Sequence, residues 1–136
     1  MNEHSFIRSV HRPLPASIYR WKINDNFQGG VADAYYSGKG GDLWIEYKYL
    51  KALPKRPTTE IKTTLSAQQA CWLTERHNEG RTVAVVIGSP SGIVLLTSPD
   101  EWNTPLTCAD FIRTAIDKQR LVSYICLLYT SPSPRD

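Results

Sequence analysis

Asp33, Glu46 and Lys48 have the types and spacing to handle a phosphate. Val31–Ser37 and Leu43–Leu50 read as strands, and Gly38, Lys39, Gly40 and Gly41 between them are hairpin chemistry. With Lys39-Gly40 as the two-residue turn, Gly38 faces Gly41, Tyr36 faces Leu43 and Asp33 faces Glu46. Directly opposed side chains have Cβ atoms roughly 4.5–5.5 Å apart, where like charges repel, so a compensating positive charge is expected. The pleat selects the same register. It puts Ala32, Ala34, Leu43 and Ile45 on one apolar face, and Asp33, Trp44, Glu46 and Lys48 on the other.

Two carboxylates with a backbone carbonyl, that of Tyr47, make an all-oxygen donor set suited to Mg²⁺ or Mn²⁺ rather than to a soft metal. Such an ion binds a phosphate oxygen, acidifies a water and neutralises developing charge. Lys48, on the same face, would orient or activate the attacking water or bind the transition-state phosphate. The chemistry indicated is phosphodiester hydrolysis. The plain alternative is a solvated hairpin face with an ion pair worth little, and the short pattern alone does not choose between them.

These residues need a scaffold, and the pattern around them supplies one. Glu3–Val10 reads as a helix ended by Pro13 and Pro15, and Ile18–Ile23 as a strand. Asn24–Gly30 is turn chemistry, and Lys51–Thr64, with two prolines and no sustained period, is expected to be an exposed basic loop. Ser66–Glu79 reads as a helix closed by Gly80. Thr82–Ile87 is a continuous apolar run, the mark of a strand covered on both faces. Ile93–Leu96 is a further strand and Leu106–Arg120 a closing helix. The expected fold is α/β, a mixed sheet flanked by helices.

The chain has 136 residues, enough for one domain, and 41% hydrophobic against 21% charged residues argues against wholesale disorder. No apolar run is long enough to span a membrane and no secretory signal opens the sequence, so a cytoplasmic protein is expected. Cys71, Cys108 and Cys126 form neither a disulfide framework nor a zinc spacing. The net charge of +3 is mild, but two stretches are more basic: Arg8 to Lys22, without an acid, and Tyr47 to Thr64, where Lys48, Lys51, Lys55, Arg56 and Lys62 stand against Glu60 alone. From Cys126 the composition changes abruptly (CLLYTSPSPRD). Residues 126–136 read as a non-native, adapter-like tail, leaving residues 1–125 as the single domain with its native C-terminus missing. An ordinary Ser/Pro-rich tail is the alternative.

GGVADAYYSGKGGDLWIEYKYL followed by LSAQQACWL resembles the PD-(D/E)XK nuclease superfamily, most closely its VRR-NUC branch. Gly30 matches that family's glycine, Asp33 its acid, Glu46, Tyr47 and Lys48 its Glu-x-Lys, and Leu65, Ser66 and Gln69 its Leu-Ser-x-x-Gln helix opening. Ala32 departs from the usual proline, which puts local rigidity in doubt more than chemistry. The stretch Lys51–Thr64 looks long for the family and reads as a substrate-contacting insertion. The resemblance implies a restriction-endonuclease-like α-β-β-β-α-β core and a Mg²⁺- or Mn²⁺-dependent deoxyribonuclease. Asp33 and Glu46 would hold the metal, Lys48 would act on water or phosphate, and Gln69 would position one of them. It also implies the stand-alone phage or bacterial type, acting in the cytoplasm of a bacterial or phage-infected cell, on DNA that includes branched forms, as a homodimer.

Several of these residues carry a second reading. Ser66 to Gln69 is also a capping box, in which Gln69 bonds back to the Ser66 backbone, and both roles would require its side chain to change partner. Glu3 is either the acid that the superfamily often carries on its first helix, and so a metal ligand, or a first-turn glutamate favoured by the helix dipole. Lys51, Lys55, Arg56 and Lys62 either track a phosphate backbone or solubilise a loop. Trp21, Trp44 and Trp72 read as packing residues, and Trp44 alone, on the carboxylate face, has stacking on a base as its second reading. For the whole chain the rival readings are a catalytically inactive nucleic-acid-binding module of the same fold and a structural subunit that binds no nucleic acid.

Overall fold

Phe6, Ile7 and Val10 recur at helical spacing, and in the computed structural model they are the buried stripe of α1 (Glu3–His11), started by Asn2 and Ser5 in a reciprocal capping box. Residues 1–23, 29–61 and 65–130 are described. The strands β1 (Tyr19–Lys22), β2 (Ala34–Gly38) and β3 (Gly41–Tyr49) follow as an antiparallel meander, with Gly38 opposite Gly41 and Tyr36 opposite Leu43 as the turn chemistry requires. After β4 (Glu60–Ile61), α2 (Ala67–Asn78) carries the chain over to β5 (Val83–Ser89), which pairs parallel with β3. An antiparallel β6 (Gly92–Leu96) completes a five-stranded sheet of order β1-β2-β3-β5-β6.

The sheet has a core on each side. Phe6, Ile7, Val10, Tyr36, Ile45, Tyr47 and Val86 pack beneath α1 and the C-terminal helix α5 (Lys118–Thr130). Leu73, Val85, Ile87, Val94, Trp102 and Phe111 pack on the other face, beneath α2, α3 (Pro99–Asn103) and α4 (Cys108–Thr114). Every residue of β5 is buried, as an apolar run covered on both faces should be. The result is the expected α/β architecture, a mixed sheet flanked by helices. Among the described residues no helix is long and apolar enough to cross a membrane.

The structure corrects three local expectations and shows how far the last helix runs. The second strand begins at Ala34, because the chain bends at Asp33 and sends Ala32 into the α2-side core, away from Ala34. The Lys51–Thr64 stretch is not free of structure: Glu60 and Ile61 pair with Thr107 and Leu106 of β7 (Leu106–Thr107), and the Cys108 and Ala109 N–H groups donate to the carbonyls of Thr59 and Pro57. The helix expected over Leu106–Arg120 is divided into β7, α4 and α5, because Ile116 leaves the helix to exchange two backbone hydrogen bonds with Ile93 (2.7 and 2.9 Å). Finally, α5 runs through Cys126 to Thr130, so the compositional break falls inside a helix. Cys126 and Leu128 pack against the core, and the Gly40 N–H donates to the Leu128 carbonyl.

Candidate active site

The last ladder pair between β2 and β3 joins Ala34 to Ile45, so β3 runs on past its neighbour just where it carries Glu46, Tyr47 and Lys48. An N–H that β2 no longer reaches still needs a partner. The Tyr47 N–H donates to Asp33 Oδ2 at 2.8 Å, so the bend at Asp33 replaces a ladder bond with a carboxylate. Strand alternation directs the Tyr47 carbonyl to that same open side, beside Asp33.

Glu46 is 1% exposed, with its neighbours on the other side supplied by β5. Its Oε2 accepts from Gln69 Nε2 at 3.0 Å and pairs with Lys48 Nζ at 3.3 Å. Among the described residues its Oε1 is buried without a hydrogen-bond partner. Burial, with the Asp33 charge behind it, pushes the Glu46 carboxyl up to about 8 despite the offsetting Lys48 ammonium.

Gln69 closes the capping box and bonds both Glu46 and Lys48 at once, so no change of partner is needed. Its Oε1 accepts from the Ser66 N–H at 3.0 Å and from Lys48 Nζ at 3.3 Å, while its Nε2 serves Glu46. Ser66 Oγ in turn accepts the Gln69 N–H at 3.0 Å, completing the capping box. The Glu3 carboxyl is raised above the ordinary range by burial and by Asp33, with Lys48 opposing, which puts the first turn of α1 at the margin of the cluster.

The remaining candidates divide. Lys51, Lys55 and Arg56 are exposed on the segment leaving β3, while Lys62 lies outside the described residues. The half-buried Trp44 ring sits 4.6 Å from Tyr35 and 5.3 Å from Trp72, centroid to centroid, so its neighbours are protein rings. Gly30, at φ +90°, lies against the start of α2, where an added Cβ would meet the Gln68 carbonyl oxygen at 2.7 Å. The burial of Ala32 (1% exposed) holds the approach to Asp33 where a proline would have stiffened it.

One set of residues escaped the sequence reading. On the opposite face, the Tyr47 hydroxyl meets that of Tyr36 at 2.6 Å, and Tyr36 meets His11 Nε2 at 2.6 Å. The signal was present: Tyr36 and Tyr47 fall on the same strand face as Ala34, Leu43 and Ile45, and a buried tyrosine hydroxyl needs a partner.

The donors fit a hard divalent cation. Asp33 and Glu46 are oxygen ligands on one face, Glu46 Oε1 is an orphaned buried acceptor, and a cation there would offset the cost of a buried carboxylate. Among the described residues no three His, Cys, Asp or Glu side chains gather as a ligand group, so a third protein ligand would come from the backbone.

No protein-family model matches the chain, and no curated protein matches it. Among solved structures it is similar to the Archaeoglobus fulgidus Hjc, a Holliday junction resolvase from an archaeal hyperthermophile. The TM-score is 0.53 at 14% identity, covering 90% of this chain and 96% of that one. At that identity the likeness is one of fold, and the fold is restriction-endonuclease-like.

Proposed function

We propose that this chain is a divalent-metal-dependent nuclease that hydrolyses phosphodiester bonds in DNA, a relative of the VRR-NUC branch. The observation that carries the reading is the cluster itself. A strand and a helix N-terminus bring Glu46, Lys48 and Gln69 into one hydrogen-bonded group around a buried carboxylate, and a bend sets Asp33 on the Tyr47 N–H between Glu46 and Lys48. It sits on the same fold as a protein named as a junction resolvase.

Asp33, Glu46 and the Tyr47 carbonyl would hold Mg²⁺ or Mn²⁺, with Glu3 at the margin. When bound, the cation supplies Lewis-acid charge at a phosphate oxygen. The chain's own groups do the rest. Lys48 offers the ammonium that binds phosphate or orients the attacking water, and Gln69 fixes that ammonium and Glu46 relative to each other. Lys51, Lys55, Arg56 and Lys62 would track the DNA backbone. We infer action on branched DNA, in the cytoplasm of a bacterial or phage-infected cell and as a homodimer, from the family resemblance.

The test is cleavage of labelled single-stranded, duplex and four-way-junction DNA with Mg²⁺, Mn²⁺ or EDTA. Metal-dependent products are expected, and the substrate that yields them identifies the preference. Salt-sensitive binding without cleavage under any divalent metal would replace this reading with the inactive binding module.

A further inference from the structure

The face that carries the carboxylates also carries a row of aromatic rings that the hydrolytic cluster does not use. Trp21 on β1 stands directly opposite Tyr35 on β2, and Tyr35 directly opposite Trp44 on β3. Tyr19, two residues before Trp21, shares its face. The helix-side core covers the row only at its Trp44 and Trp72 end. Exposure therefore rises outward, to 51% at Trp21 and 59% at Tyr19. The other large hydrophobic side chains exposed among the described residues, Met1, Ile112 and Leu127, are aliphatic and lie outside β1, β2 and β3.

The row is rigidly mounted. The Tyr35 hydroxyl donates to Asp42 Oδ2 at 2.8 Å. Beneath β1, the Arg20 guanidinium donates to the carbonyls of His11, Leu14, Pro15 and Ile18, fixing the strand from its other face. The row also leads into the cluster. Glu46 follows Trp44 by two residues on β3, a step of roughly 7 Å along the strand, and Asp33, at the bend before β2, lies two residues before Tyr35. A polynucleotide backbone crossing Asp33 and Glu46 therefore brings its neighbouring bases over these rings. Tyr and Trp also serve protein interfaces, so it is the continuity of the row with Asp33 and Glu46 that favours a nucleic acid, whose bases stack on flat rings without their edges being read.

Building on the nuclease reading, we propose that Tyr19, Trp21 and Tyr35 form a stacking platform for unpaired bases beside the bond to be cut, so that the chain prefers a single-stranded segment there. The test is fluorescence anisotropy in EDTA with short oligo-dT, blunt duplex and duplex carrying a single-stranded overhang. Trp21→Ala is expected to weaken binding of oligo-dT and the overhang roughly tenfold, with blunt duplex changed by less than about twofold and most affinity kept by Trp21→Phe. Equal binding by wild type, Trp21→Ala and Tyr19→Ala, or an equal loss on all three DNAs, would overturn the platform. So would a wild type that sediments as two chains and a Trp21→Ala variant that sediments as one, with DNA binding unchanged, because the face would then belong to a second copy. Metal-dependent cleavage is read separately, so the platform can fail while the nuclease reading stands. A wild type that neither binds nor cleaves any DNA overturns both.

Discussion

The side-chain amide of Gln69 ties the first turn of α2 to both charged groups of β3, so on the proposed function it is a structural and a functional residue together. Gln69→Ala should therefore do two things: lower stability by about 1 kcal/mol through loss of the cap, and slow cleavage roughly ten- to a hundredfold through loss of positioning. Urea melts and single-turnover rates measure the two separately. Glu46 illustrates the opposite relation between stability and chemistry. A buried carboxylate with one orphaned oxygen is costly to fold around. Glu46→Gln should melt at a higher temperature than wild type in EDTA while losing cleavage. Mg²⁺ should raise the melting temperature of the wild type and leave the variant where it was.

At the scale of elements, the hairpin was legible because two independent signals agreed: glycine-rich turn chemistry and the alternation of apolar with charged residues chose one register, and β2 and β3 adopt it. The capping box at Ser66 was legible for the same reason, a local motif read from residue types. α3 carried its own sign in Ser98-Pro99, an N-cap followed by proline, and a short helix is easily passed over. The β4–β7 pair and the break at Ile116 carried no local sign, since tertiary backbone pairing creates them. The bend at Asp33 was hidden in the same way: it depends on Ala32 finding a place beside Leu73 and Val85.

The bond from His11 to Tyr36 fastens the end of α1 to the sheet and makes a pH prediction. Burial, assisted by the charges of Arg20 and Lys22, lowers the His11 imidazole to about 4. Its unfolded value is about 6.5, so between these limits the unfolded chain binds the extra proton. The contribution of His11 is therefore full above about pH 6.5 and is lost as pH falls toward 4. His11→Gln should flatten that part of the stability profile relative to wild type, as seen in urea midpoints across the range. Parallel profiles for the two proteins would contradict the assignment.

For the whole molecule, the sheet separates two cores, and the catalytic proposal lives on one face while α1 and α5 brace the other. Cys126 and Leu128 belong to that brace whatever the origin of residues 126–136. Deleting residues 126–136 should therefore cost roughly 1–3 kcal/mol of stability, from lost apolar burial, without abolishing metal-dependent cleavage at 25 °C. Thermal melts and cleavage rates of the shortened chain check both halves of that statement. The central claim, that Asp33, Glu46, Lys48 and Gln69 form a nuclease centre, meets its most direct test in one comparison: wild type against Glu46→Ala on the same labelled DNA with Mg²⁺ or Mn²⁺. Metal-dependent products that disappear in a variant still folded by circular dichroism are the predicted result. Cleavage by Glu46→Ala at the wild-type rate would contradict it.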